Sequence, residues 1–143
     1  VLSRHAKGLH CAVEAALDSD GFEALTGFMR GFIDLGFVHD GRFFLADYKS
    51  NYLGPNFSDY GAVALDTAMH QSAYTLQYLI YSVALHRWLR SRIDGYQYDQ
   101  HFGGVYYLFL RGMHPAHTGS GVFFDRPQGS LISDLDALVG GST

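Results

Sequence analysis

The dipeptide Asp40-Gly41, set between two apolar runs, constrains this chain more than any other feature. A two-residue turn needs positive φ, which glycine adopts cheaply and aspartate tolerates, so Asp-Gly between alternating hydrophobics predicts a β-hairpin. The first arm draws on Thr26 to Val38, with Phe28, Phe32, Ile33, Leu35, Phe37 and Val38; the second runs from Arg42 to Tyr48. Both arms carry a carboxylate where apolar residues are expected. Asp34 interrupts GFIDLGF, and Asp47 closes FFLAD. A charge embedded in an apolar strand is costly unless it binds something.

The rest of the chain supplies helices to cover such a hairpin. Residues 2 to 17 place Leu2, Ala6, Leu9, Val13, Ala16 and Leu17 at helical spacing, and Asp18 to Gly21 would end that helix. Ser50 to Ser58, with Gly54 and Pro55, reads as a loop over the sheet edge. Tyr60 to Gln71 and Ala73 to Arg92 read as helices, the second with Tyr74, Gln77, Tyr78, Tyr81, Leu85, Trp88 and Leu89 along one broad face. Gly103 to Leu110 is a short continuous apolar run, suited to a central strand buried on both faces. Arg111 to Gly121 is expected to be an exposed loop, Val122 to Phe124 a short strand and Ser130 to Val139 a closing helix. With no repeat or linker, residues 1 to 143 are read as one α/β domain with a mixed central sheet flanked by helices.

Composition excludes several function classes. Cys11 is the only cysteine, so an internal disulfide, a four-cysteine zinc site and a cysteine-held iron–sulfur cluster are ruled out. No apolar run reaches the roughly 18 residues of a membrane span, and the first residues lack the pattern of a secretory signal, so a cytoplasmic protein without membrane contact is expected. Net charge is −4, unlike an autonomous nucleic-acid binder; Arg87, Arg90 and Arg92 are the main basic cluster. If the substrate is nucleic acid, a metal ion, a partner subunit or a further domain must supply much of the grip. No Gly-Lys-Ser/Thr phosphate loop is present, and Gly103-Gly104 lacks the rest of a dinucleotide fingerprint. The eight histidines are scattered and form no zinc-binding pattern.

The hairpin does suit phosphodiester hydrolysis. That reaction needs a divalent metal to polarise the phosphoryl group and bind the attacking water, and a cation near the developing negative charge. Magnesium takes carboxylate and carbonyl oxygens with several waters retained, so two aspartates and one carbonyl suffice. Asp34 and Asp47 lie 13 positions apart around the turn, and Lys49 follows Asp47 by two residues, on the same strand face. An Asp-x-Lys triplet by itself would equally describe a surface ion pair. Gln77 and Tyr81, one helical turn apart, would by themselves describe a boundary residue and a core aromatic.

Taken in order and spacing, GFIDL, DYKSNYLG, LQYLIYSVALHRWLR and HFGGVYYLFLRG resemble the RecB-type nuclease domains of the PD-(D/E)xK (restriction-endonuclease-like) superfamily, from about Phe28 to Pro127. The resemblance implies a magnesium-dependent DNA exo/endonuclease domain of a RecBCD-type helicase–nuclease, acting in double-strand break repair and recombination. Asp34 and Asp47 would be metal-ligating carboxylates, with the Tyr48 carbonyl as third ligand. Lys49 would position the nucleophilic water or stabilise transition-state charge, and Gln77 and Tyr81 match the family's Gln-x-x-x-Tyr motif beside the catalytic centre. Single-stranded DNA delivered by a helicase, RecC- and RecD-like subunits, and RecA are the partners it implies. The family also carries a metal-binding histidine on a helix well upstream; the 33 residues before Asp34 are too few to reach it, so neither His5 nor His10 is assigned and the core is expected to be N-terminally truncated. Two further readings follow: a non-catalytic docking module for RecA, and a PD-(D/E)xK nuclease acting alone in defence or repair.

Overall fold

A computed structural model describes residues 33–140, which lie within a unit spanning Ile33–Thr143. The helix expected over residues 2 to 17 and the start of the first hairpin arm lie outside the described residues. Strand β1 (Leu35–His39) turns at Asp40-Gly41 into β2 (Arg42–Lys49). Both turn residues have positive φ, 48° and 72°, and the pairing closes on His39 opposite Arg42, the tight hairpin that the dipeptide requires. Among the described residues β1 begins at Leu35, and Asp34 sits in a bend just before it and is exposed, not embedded in a strand.

After β2 the chain passes through a loop and a 3-10 turn (Phe57–Tyr60) into helix α1 (Ala62–Gln71). Ala73, with φ 55°, breaks the path between α1 and the long helix α2 (Tyr74–Arg92). A single-turn helix α3 (Tyr98–His101) leads into β3 (Phe102–Phe109). A second 3-10 turn (Leu110–Gly112) and an exposed loop precede β4 (Val122–Asp125), and α4 (Gly129–Gly140) closes the described chain.

The four described strands form one mixed sheet in the order β1-β2-β3-β4. β2 and β3 are parallel; the two outer pairs are antiparallel. The apolar run at β3 is therefore internal, and six of its eight residues are buried. The register steps from Phe43 opposite Phe102 to Phe44 opposite Gly104, leaving Gly103 as an extra residue. That bulge has a packing reason. A Cβ on Gly103 would come within 2.4 Å of the Phe44 ring, and one on Gly104 within 2.5 Å of the Phe124 ring. The glycines let an aromatic row, Phe37, Phe44, Tyr106 and Phe124, lie across one sheet face.

The other face carries Leu45, Asp47, Val105, Tyr107 and Phe109 and packs against α2, where the Tyr78 and Tyr107 rings meet edge to face at 6.0 Å. The face expected of α2 needs correction. Trp88 is 48% exposed, whereas Leu79, Ser82, Val83 and His86, off the predicted stripe, are buried. The helix is enclosed on more than one side because α4 also leans on it. Arg87 and Arg90 both bind Asp136 of α4, and Arg87 Nη2 adds a 2.9 Å bond to the Asp136 carbonyl. Those two arginines tie α2 to α4 through Asp136. Among the described residues no helix is long and apolar enough to cross a membrane.

Candidate active site

A tight two-residue hairpin fixes which opposed residues exchange hydrogen bonds and which do not. His39 and Arg42 flank the turn, and alternate pairs after them repeat the hydrogen-bonded type as far as Leu35 and Ala46. Asp34 precedes that ladder in a bend, one residue before Leu35, and Asp47 follows Ala46 on β2. The next bond of the ladder would use the Tyr48 N–H. Asp34 Oδ2 accepts it instead, at 2.9 Å, so the side chain takes over where β1 ends. In an extended strand a residue's N–H and C=O point to the same edge, and the Tyr48 carbonyl therefore shares that edge with Asp34.

Asp47 is only 7% exposed, and the ammonium of Lys49 meets it at 2.6 Å from Oδ1. Lys49 thus sets a positive charge beside the enclosed carboxylate. Lys49 is itself enclosed. Its Nζ donates to Gln77 Oε1 at 3.2 Å and stands 4.1 Å from the centre of the Tyr74 ring and 5.0 Å from that of Tyr107.

Donor and acceptor chemistry settles how Gln77 is turned. Lysine only donates, so the Gln77 atom facing Lys49 is the oxygen, and the Tyr107 hydroxyl gives its proton to that same oxygen at 2.8 Å. The Gln77 amide nitrogen then faces Tyr81 and donates to its hydroxyl oxygen at 3.2 Å. Burial pushes the Tyr81 hydroxyl pKa up; the Gln77 bond opposes this, and the charges of Asp47 and then Asp34 push the same way as burial. Tyr81 thus lies within electrostatic reach of both carboxylates. Tyr107 is fully buried, and burial first, then the Asp47 charge, holds its hydroxyl protonated well beyond neutral pH.

Lys49, Asp47, Gln77 and Tyr81 thus form one bonded chain from β2 to α2, with Asp34 and the Tyr48 backbone on its open side. Tyr107 and the cradling role of Tyr74 were not anticipated. Tyr107 sits opposite Asp47 in the parallel pairing, and its hydroxyl in an otherwise apolar run was the signal available. Among the described residues no group of three or more His, Cys, Asp or Glu side chains gathers into a metal cage. The hard-oxygen set of Asp34, Asp47 and the Tyr48 carbonyl nevertheless fits magnesium, which binds through one or two carboxylates and keeps its waters. Soft or imidazole donors, which zinc would favour, are missing from this set.

No family model matches the chain. Curated relatives named RecBCD enzyme subunit RecB do. The Haemophilus influenzae protein is 52% identical over 117 residues, 82% of this chain. The Escherichia coli protein is 48% identical over 122 residues, 85% of the chain, and a Mycobacterium tuberculosis protein is 42% identical over 126 residues, 83% of the chain. The matched region amounts to 10% of the first two relatives and 12% of the third.

Proposed function

This chain is homologous, along most of its length, to the C-terminal nuclease region of RecB, and from that premise we propose that it is a magnesium-dependent nuclease domain that hydrolyses phosphodiester bonds in DNA. The observation that carries the proposal is the Asp47–Lys49 pair, 2.6 Å apart and largely enclosed, with Asp34 bound to the Tyr48 N–H between them in sequence. A surface ion pair would need neither the burial nor the second carboxylate.

Asp34, Asp47 and the Tyr48 carbonyl would hold the divalent cation. When bound, that ion would polarise the phosphoryl group and lower the pKa of a coordinated water. Lys49 keeps its ammonium beside Asp47, where it can orient a water and offset negative charge growing on the phosphoryl oxygens. Gln77 accepts from Lys49 and Tyr107 and donates to Tyr81, so it fixes the ammonium's position. The Tyr74 ring covers the ammonium from another side, which limits competing water.

The relatives' name extends the proposal to a RecBCD-type assembly acting in DNA repair and recombination in the cytoplasm, with RecC- and RecD-like subunits and helicase-delivered single strands as partners. The comparisons give no support to RecA docking. The test is cleavage of labelled single-stranded DNA with magnesium, by the parent chain and by Asp47→Ala and Lys49→Ala. Cleavage by the parent and loss in both variants is expected. Calorimetry should show metal binding weakened by Asp47→Ala and largely retained by Lys49→Ala. Magnesium-dependent cleavage that survives Asp47→Ala would refute the assignment.

A further inference from the structure

The loops leaving β2 and β3 converge on the 3-10 turn at Phe57–Tyr60. Leu53 N–H donates to the Tyr60 hydroxyl at 3.1 Å and Gly121 N–H to the Tyr60 carbonyl at 3.0 Å. The Ser120 hydroxyl donates to the Phe57 carbonyl at 3.2 Å. Arg111 Nε donates to the carbonyl of Ser50, the residue after Lys49, at 2.7 Å. Because β2 and β3 run parallel, these loops stand beyond the sheet end that carries Asp47 and Lys49.

At that end Phe57 and His117 stack, ring centres 3.9 Å apart and planes within 21°, and His114 lies 5.4 Å from the same phenyl ring. Phe57 is nevertheless 39% exposed, and both histidines are exposed. Beside the stack lies a shallow, largely open depression bordered by Phe57, Ser58, Gly61, His117, Thr118 and Ser120. Its walls combine flat aromatic faces with hydroxyls and carry no carboxylate.

We propose that Phe57 and His117 form a stacking subsite for an unpaired base of single-stranded nucleic acid whose backbone leads on to Asp47 and Lys49. Base–aromatic stacking is the device by which such strands are held without reading sequence. It suits a chain whose net charge is −4 and in which Arg87 and Arg90 are paired with Asp136. The hydroxyls of Ser58 and Thr118 stand beside the platform, where a base edge or sugar would meet them. A duplex would not use the subsite, because its bases already stack on one another. The direction of the strand rests on the nuclease proposal; the stacking does not.

The experiment is fluorescence anisotropy in metal-free buffer, where cleavage is off, with three labelled probes of equal length: oligothymidylate, an abasic strand and a blunt duplex. The parent chain should bind oligothymidylate at least about fivefold more tightly than the abasic strand, the low end of one base–aromatic stack. Phe57→Ala and His117→Ala should abolish that preference, and Phe57→Tyr should retain it. Equal binding of the base-bearing and abasic strands by the parent, or a preference that survives Phe57→Ala, would overturn the subsite. Base preference without magnesium-dependent cleavage would leave the subsite standing and remove the nuclease reading. Cleavage through Asp47 without base preference would do the reverse.

Discussion

Removing one oxygen atom tests the hydrogen-bonded chain behind Lys49. Tyr107→Phe keeps the ring, so no cavity opens among the fully buried side chains around it, and the sole loss is the proton given to Gln77 Oε1 at 2.8 Å. Gln77 Oε1 retains Lys49 as a donor at 3.2 Å, so it is not left unsatisfied. The stability cost is then that of a single net hydrogen bond, about 1 kcal/mol. For a domain of this size that is about 3–6 °C in melting temperature. The larger effect falls on turnover. With one donor gone, the Gln77 amide is freer to rotate, and Lys49 loses part of what holds it beside Asp47. A fall of about 3–10-fold in kcat, with KM for single-stranded DNA nearly constant, corresponds to the same order of energy. Thermal unfolding followed by circular dichroism and magnesium-dependent cleavage of labelled DNA measure the two effects. The decisive comparison is the double variant. If Tyr107 acts through Gln77, then Tyr107→Phe should cost much less in a Gln77→Ala background. Fully additive effects on both readouts, or no effect of Tyr107→Phe on either, would refute the relay.

Two further predictions concern the fold that carries the site. Gly104→Ala places a Cβ 2.5 Å from the Phe124 ring and 2.9 Å from the Asp125 carbonyl, at a φ of 140°, so it should destabilise by more than about 2 kcal/mol; a urea unfolding midpoint equal to the parent's would contradict this. Burial, then the nearby Arg90 and Arg87, hold the His86 pKa below its usual value; Asp136 opposes them, and the Tyr96 hydroxyl 3.1 Å from Nδ1 and the Tyr98 ring complete the surroundings. A folded-state pKa below the unfolded one gives stability that is present above about pH 6.5 and lost as pH falls towards the folded value. Between pH 7.5 and 5 the parent should therefore lose more melting temperature than His86→Gln, and an equal loss in both would count against it.

How far the sequence revealed the fold depended on the range of the interactions involved. The Asp40-Gly41 turn is local chemistry, and both its strand partners and its register follow from two residues. The apolar run at β3 was legible because continuous hydrophobicity over eight residues has few other homes. The extra residue at Gly103 was not, since its cause is the Phe44 ring, about sixty positions away. The face of α2 was misjudged for a similar reason. A single stripe describes a helix with one partner, and α2 has several, the sheet, α1 and α4, so Leu79 and Val83 are buried and Trp88 is not. Asp47 and Lys49 were visible as a spacing, and Gln77 and Tyr81 as a helical turn. What joined the two pairs was the parallel register of β2 and β3, which sets Tyr107 beside Asp47 and no local pattern encodes.

The fate of the basic residues bears most directly on function. Of the three arginines on α2, Arg87 and Arg90 both bind Asp136. Arg126 likewise donates to the carbonyls of Phe102 and Asp99, and Arg111 to that of Ser50. Lys49 is held between Asp47 and Gln77. Each of these cations is used to fix the position of a loop, a helix or the candidate centre. With Lys49, Arg87 and Arg90 each paired with a carboxylate and a net charge of −4, binding through counterion release alone would be weak. The contacts proposed for a strand of DNA are a divalent cation held by Asp34 and Asp47 and the exposed rings at Phe57 and His117. Both act at short range, one on a phosphate and one on a base. Together they would favour a strand that is already unpaired and already delivered over one captured from solution by long-range attraction.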